Sequence, residues 1–136
     1  MAPGTDAPVV LFAYTPHRPS EAAFEAAVRQ ARLREARLII VNAHHGQSHD
    51  DPQLASPQQL KGLLARARAA GVDAGIDQPM GPDIPTMLLN RAHGLPAEVL
   101  VLATRRRSNV GKLLMGSTAQ RVIMEARCEV LLVKDG

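Results

Sequence analysis

Arg105, Arg106, Arg107 and Lys112 stand together in the stretch 103–119, ATRRRSNVGKLLMGSTA, which holds no acidic residue. Guanidinium forks and an ammonium group among serines and glycines suit the oxygens of a phosphate or another anion. Without these side chains the formal net charge of +3 would turn negative, so the basicity of the chain is local. The stretch lies between an apolar run, Val99 to Leu102, and a helical one, Thr118 to Ala126. A strand that leads into a glycine-punctuated basic loop, and then into a helix capped by Ser117, brings backbone N–H groups, a helix dipole and cations to one place. That is an anion cradle. A solvated basic loop is the alternative, since charge runs are commonly that, and a plain N-cap accounts for Gly116 and Ser117 under either reading.

Other reactive side chains point to less. His44, His45 and His49 with Asp50 and Asp51 have the chemistry of metal ligands. Adjacent histidines in a loop project in different directions, however, so no metal is assigned to them. His17, after the first apolar run, is read as a loop histidine with a phosphate or sugar as its alternative neighbour. Cys128 is the single cysteine and cannot form an internal disulfide; it is read as a buried, unreactive thiol. No Ser-His-Asp set can be assembled around Ser117, and Walker A, G-x-G-x-x-G and zinc-ribbon patterns are absent. Met80, Met87, Met115 and Met124 are read as gap-filling core or interface residues.

The elements that must hold the basic stretch follow from periodicity. Pro8 to Tyr14 is a continuous apolar run, read as a central strand buried on both faces. Ser20 caps a helix whose Phe24, Ala27, Val28 and Ala31 form one stripe through about Arg34. Leu38 to Ala43 is a second strand, and His44 to Ala55 the longest loop. Ser56-Pro57-Gln58-Gln59 carries a complete helix start, a cap with proline and a capping-box glutamine, and Gly71 offers the stop. The alternation in 72–77 suits an edge strand. Gly81-Pro82-Asp83 is a turn and cap before a helix with Ile84, Met87, Leu88 and Ala92 on its face, ended by Gly94. Glu98 to Ala103 is the fourth strand. Ala119, Val122, Ile123 and Ala126 face inward from the last helix, and Val130 to Val133 is the fifth strand. Strands alternating with helices imply α/β architecture: an open, doubly wound parallel sheet of five strands with four helices, joined by right-handed crossovers. Ligands of such sheets collect beyond the carboxyl ends of the strands, here after strands one and four.

The 136 residues fit a single domain, 1–136, large enough to bury a core without staples. No apolar run reaches the ~18 residues of a membrane span, and Met1 to Ala7 lacks the features of a signal peptide, so the expectation is a cytoplasmic protein with no membrane partner. Phe12, Tyr14 and Phe24 are the only aromatic residues, two of them in the strand or on the apolar helix face, which argues against nucleic acid as a partner.

From Val9 to Lys134, the order of elements and ATRRRSNVGKLLMGSTAQRVIMEARCEVLLVK resemble the universal stress protein family. The likeness is strongest at Gly116-Ser117, Ala119, Arg121 and the Ala126-x-Cys128-x-Val130-Leu131 ending. The resemblance implies a HUP-like nucleotide-binding fold of strand order 3-2-1-4-5, homodimers built through the last strand, and ATP or AMP as ligand, with no metal beyond the Mg that accompanies a nucleotide. Nucleotide-binding members carry Gly, two residues, Gly, nine residues, then Gly with Ser or Thr. Those positions fall on Ala103, Arg106, Gly116 and Ser117. The base-contacting Asp of many members falls on Thr15, and the apolar contact after strand two on Ala43. The site implied is Thr15, Ala43, Ala103, Arg105, Arg106, Ser108, Gly116, Ser117 and Thr118, with no catalytic residue and hydrolysis at most slow and incidental. Some relatives bind no nucleotide and act through protein–protein interaction, which stays as the alternative; an enzyme of the wider nucleotide-binding α/β class is a third.

Overall fold

In the computed structural model, which describes residues 7–46, 50–104 and 115–134, helices and strands alternate along the chain. They run β1 (Val9–Ala13), α1 (Glu21–Arg34), β2 (Arg37–Val41), α2 (Pro57–Ala69), β3 (Ala74–Asp77), α3 (Ile84–Gly94), β4 (Ala97–Ala103), α4 (Ser117–Glu125) and β5 (Glu129–Val133). The strands form one sheet of order β3-β2-β1-β4-β5, every pair parallel. β1 therefore lies at the centre, and β3 is the edge strand expected from its alternation.

The continuous apolar runs are explained by cover on both faces. Val10, Phe12, Leu38, Ile40, Val99 and Val101 point to one face, where they pack with Phe24, Ala27 and Ala31 of α1 and Leu60, Leu63 and Ala67 of α2. Their neighbours Val9, Leu11, Ile39, Val41, Leu100 and Leu102 point to the other, against Leu88, Leu89 and Ala92 of α3 and Ala119 and Val122 of α4. Phe12 and Phe24 meet edge to face, with ring centroids 5.8 Å apart.

Side chains set the helix starts on the first face. The Ser20 hydroxyl accepts the Ala23 N–H at 3.1 Å. At α2 the Ser56 hydroxyl accepts the Gln59 N–H at 3.1 Å while the Gln59 carboxamide accepts the Ser56 N–H at 2.8 Å, closing the capping box. Gly71, just past α2, takes φ +84°, a left-handed turn that glycine enters freely.

Some expectations need correction. β2 stops at Val41, so Asn42 and Ala43 lie beyond it, and Gly94 is the last residue of α3 with Leu95 as its cap. Ile123 is 41% and Met124 82% exposed, because α4 packs between α3 and β5 and only its Ala119–Val122 line meets the sheet. Met80 is 67% exposed and Met115 is exposed too; of the four methionines named above, Met87 packs against the core.

Leu100, fully buried in β4, tests the layering. Leu100→Ala should cost about 2–5 kcal/mol in urea unfolding, and Ile123→Ala within about 0.5–1 kcal/mol of nothing. Equal losses would contradict the assignment of Ile123 to the surface.

Candidate functional site

β1 and β4 are neighbours in the sheet, yet the chain leaves β1 for a helix on one face and β4 for a helix on the other. The departing segments part, and a crevice opens beyond their carboxyl ends. The cleft there holds about 740 Å³, within the range of small-ligand sites. Its floor is the tips of the two strands, Ala13 to Thr15 and Leu102 to Thr104. One wall is Gly116 to Ala119 with Ile84 and Leu88 of α3; the opposite wall includes Val41, Ala43 and Gln53. His17 and Arg18 border it, and no carboxylate does among the described residues.

Of the residues named from the sequence, Thr15, Ala43, Ala103, Gly116, Ser117 and Thr118 all line this cleft. Arg105, Arg106 and Ser108 lie outside the described residues, as do Arg107, Lys112 and His49. Ala103 closes β4 without left-handed backbone, since Glu35 is the only non-glycine residue with positive φ among those described. His17 lines the cleft with its Nδ1 3.0 Å from the Pro52 carbonyl oxygen. Of the histidines and aspartates that were assigned no metal, His44 is buried, His45 Nδ1 sits 3.2 Å from the Gly81 carbonyl, and the Asp51 carboxylate accepts the His45 and Gln53 N–H groups. No metal-binding cluster of His, Cys, Asp or Glu occurs among the described residues.

The start of α4 differs from that of α1. Ser117 was expected as the cap, but it is the first helical residue and Gly116 takes the cap position, at φ −70° and ψ 162°. Glycine has no side chain to turn inward, and among the described residues no side chain caps this helix. The first N–H groups of a helix have no partner within it. At α1 Ser20 takes up one of them; at α4 no described side chain does, and they stand at the cleft wall, where the helix dipole adds to their pull on an anion.

Asn42, one residue beyond β2, has no exposed surface. Its Nδ2 donates to the carbonyl oxygens of Tyr14 (3.2 Å) and Gln53 (2.7 Å), and its Oδ1 accepts the Ala55 N–H (2.8 Å) and the Gln78 Nε2 (3.0 Å). It is not among the site residues expected from the sequence. A lone asparagine ending the apolar run LIIVNA was the available signal, since a buried carboxamide must be satisfied.

α4 is held to α3 by a polar cluster. Arg121 donates to the Asp83 carboxylate at 2.7 Å and to the Thr86 hydroxyl at 3.1 Å, and within α4 to Glu125 at 3.1 Å, while the Thr86 hydroxyl donates to Asp83 at 2.6 Å. Asp83 thus stands at the N-cap position of α3 with no backbone cap bond from its side chain, its carboxylate shared between Thr86 of α3 and Arg121 of α4. The Thr86 hydroxyl and then the Arg121 guanidinium hold the Asp83 carboxyl below its usual range. Backbone N–H groups, Gln53 first, do the same for Asp51, and the Arg66 side chain does it for Glu21. Burial pushes the Tyr14 phenol and the Cys128 thiol up, which keeps both neutral.

Fold and cleft together define an open, doubly wound α/β protein with a ligand-sized crevice at its topological switch point. The chain belongs to the universal stress protein family, whose profile matches residues 8–134. It is 34% identical over 126 residues to a universal stress protein of Mycolicibacterium smegmatis, which covers 93% of this chain and 97% of the relative. A universal stress protein structure from Archaeoglobus fulgidus superposes with a TM-score of 0.77 at 25% identity, over 94% of this chain and 98% of that one. Two more distant structures share the fold. One is a universal stress protein in complex with cAMP (TM-score 0.71, 24% identity, 96% and 98% covered), the other a universal stress protein from Archaeoglobus fulgidus in complex with dAMP (0.72, 20%, 96% and 100%).

Lowered carboxyl values stabilise the fold above the ordinary carboxylate range, and that contribution is lost as pH falls through the folded-state values. The urea midpoint should therefore hold from about pH 7 to about pH 5 and fall below about pH 4. Asp83→Asn should flatten that fall; an unchanged acid profile would contradict the role given to the Asp83 cluster.

Proposed function

We propose that this chain is a cytoplasmic, homodimeric stress-response module of one domain that binds an adenine nucleotide, ATP or AMP, in the cleft at the tips of β1 and β4. The observation that carries the reading is the start of α4: amides with no side-chain cap form one wall of a cleft of about 740 Å³ that no described carboxylate borders. Phosphates would lie on Gly116, Ser117 and Thr118, with Arg105, Arg106 and Ser108 of the preceding loop as further donors. The base would lie between Thr15 and Ala43, above Ala103. The cAMP and dAMP complexes of proteins sharing the fold support an adenine ligand. The residues bordering the cleft suit binding rather than turnover, since no Asp or Glu among those described stands where it could activate water.

A second reading keeps the fold and drops the nucleotide. β5 is an edge strand with half-buried apolar side chains, and Ile123 and Met124 are exposed on the preceding helix. In that case a protein–protein surface around β5 is the working feature.

Gly116→Val separates the two by calorimetry. The backbone at Gly116 is one that valine adopts without strain, so the variant should fold, while a branched side chain at the helix start would compete with phosphates for the space beside these amides. The wild type should bind ATP and gain about 2.7 kcal/mol of stability at 100 Kd, and the variant should bind none. Equal affinity in the two proteins would rule out the cradle, and no stabilisation of the wild type by ATP would favour the interaction reading.

A further inference from the structure

The segment between β2 and α2 is tied down along the opposite side of the cleft from α4. Gln53, which lines the cleft, has its carbonyl oxygen held by Asn42 Nδ2 at 2.7 Å and its N–H held by Asp51 Oδ1 at 2.9 Å. Pro52 is held through its carbonyl by His17, and Ala55 through its N–H by Asn42 Oδ1 at 2.8 Å. The same Asn42 carboxamide grips the carbonyl of Tyr14, the residue before Thr15, at 3.2 Å. The Ala55 N–H can only donate, which fixes which end of the carboxamide is oxygen. One fully buried side chain therefore joins the tip of β1, the 53–55 segment and Gln78 beyond β3, and every donor and acceptor position it has is used.

From this geometry we infer that Asn42 is a positioning residue that sets the base-side wall of the cleft, and so governs affinity for the base of the ligand and not for its phosphates. The inference rests on the nucleotide reading given above. None of the four partners of Asn42 lies on α4, where the proposed phosphate cradle begins. A planar base gains affinity from a wall already in place, because ordering a loose segment on binding subtracts from the interaction. Apolar substitution at Asn42 would orphan the Tyr14 and Gln53 carbonyls and release Gln53, Thr15 and Ala43 from their common arrangement, while the helix start across the cleft keeps its place.

Titration of AMP and of inorganic tripolyphosphate into the wild type, Asn42→Ala and Asp51→Ala tests this. Asp51 frees the same segment from its outer end without emptying a buried site, so it decides the matter if Asn42→Ala does not fold. Each folded variant should bind AMP about tenfold more weakly and tripolyphosphate within about twofold of wild type. A merely structural role would weaken both probes together or neither, and either pattern overturns the inference while leaving the cleft as a nucleotide site. A wild type that takes up neither AMP nor tripolyphosphate overturns the nucleotide reading itself, and this inference with it.

Discussion

A helix start must find partners for its first amides, and in α4 no side chain among the described residues provides one. Gly116 occupies the cap position and offers them no side chain, so on the proposed reading a ligand in the cleft supplies the partner. The rest of the molecule serves to aim that unsatisfied end. The sheet order brings β1 and β4 together at the centre, the crossovers send their following segments to opposite faces, and the gap so formed is bounded by the α4 amides. Where α1 faces the same cleft, Ser20 has already taken an amide, and the two helix ends are not equivalent.

What holds the two walls is of different kinds. On the α4 side the ties are polar and partly exposed: Arg121 to Asp83 and Thr86 of α3, with Glu125 one turn along α4 steadying the guanidinium. Such pairs contribute little to stability individually, and their value lies in fixing how α4 sits on α3. On the opposite side the tie is neutral and fully buried, the Asn42 carboxamide, for which every lost bond leaves a desolvated group behind. Beneath the floor between them the core is apolar and dense, built from alternating side chains of the central strands.

The layered α/β fold was legible because its signals are local. Val9 to Ala13 and Leu38 to Val41 are apolar without interruption, and Ser56 with Gln59 spells out a helix start within one turn. The cleft was legible at one remove, from the strand ends and a family likeness. Other features depend on contacts remote in the chain. Asn42 meets Gln78 across a separation of 36 residues, and Asp83 meets Arg121 across 38, so neither partnership leaves a trace in spacing. Gly116 and Ser117 were both competent caps; only the backbone decides which residue turns helical first. Ile123 shares a helical stripe with Val122, yet it lies over the flank where no sheet remains to cover it.

The central claim concerns the amides at the start of α4, and they can be observed directly. In two-dimensional NMR of the labelled protein titrated with AMP, the N–H signals of Ser117, Thr118 and Ala119 should move in a saturable way, while those of Ala23 and Phe24 in the self-capped start of α1 hold still by comparison. Saturable binding that leaves the α4 amides unmoved would contradict the account.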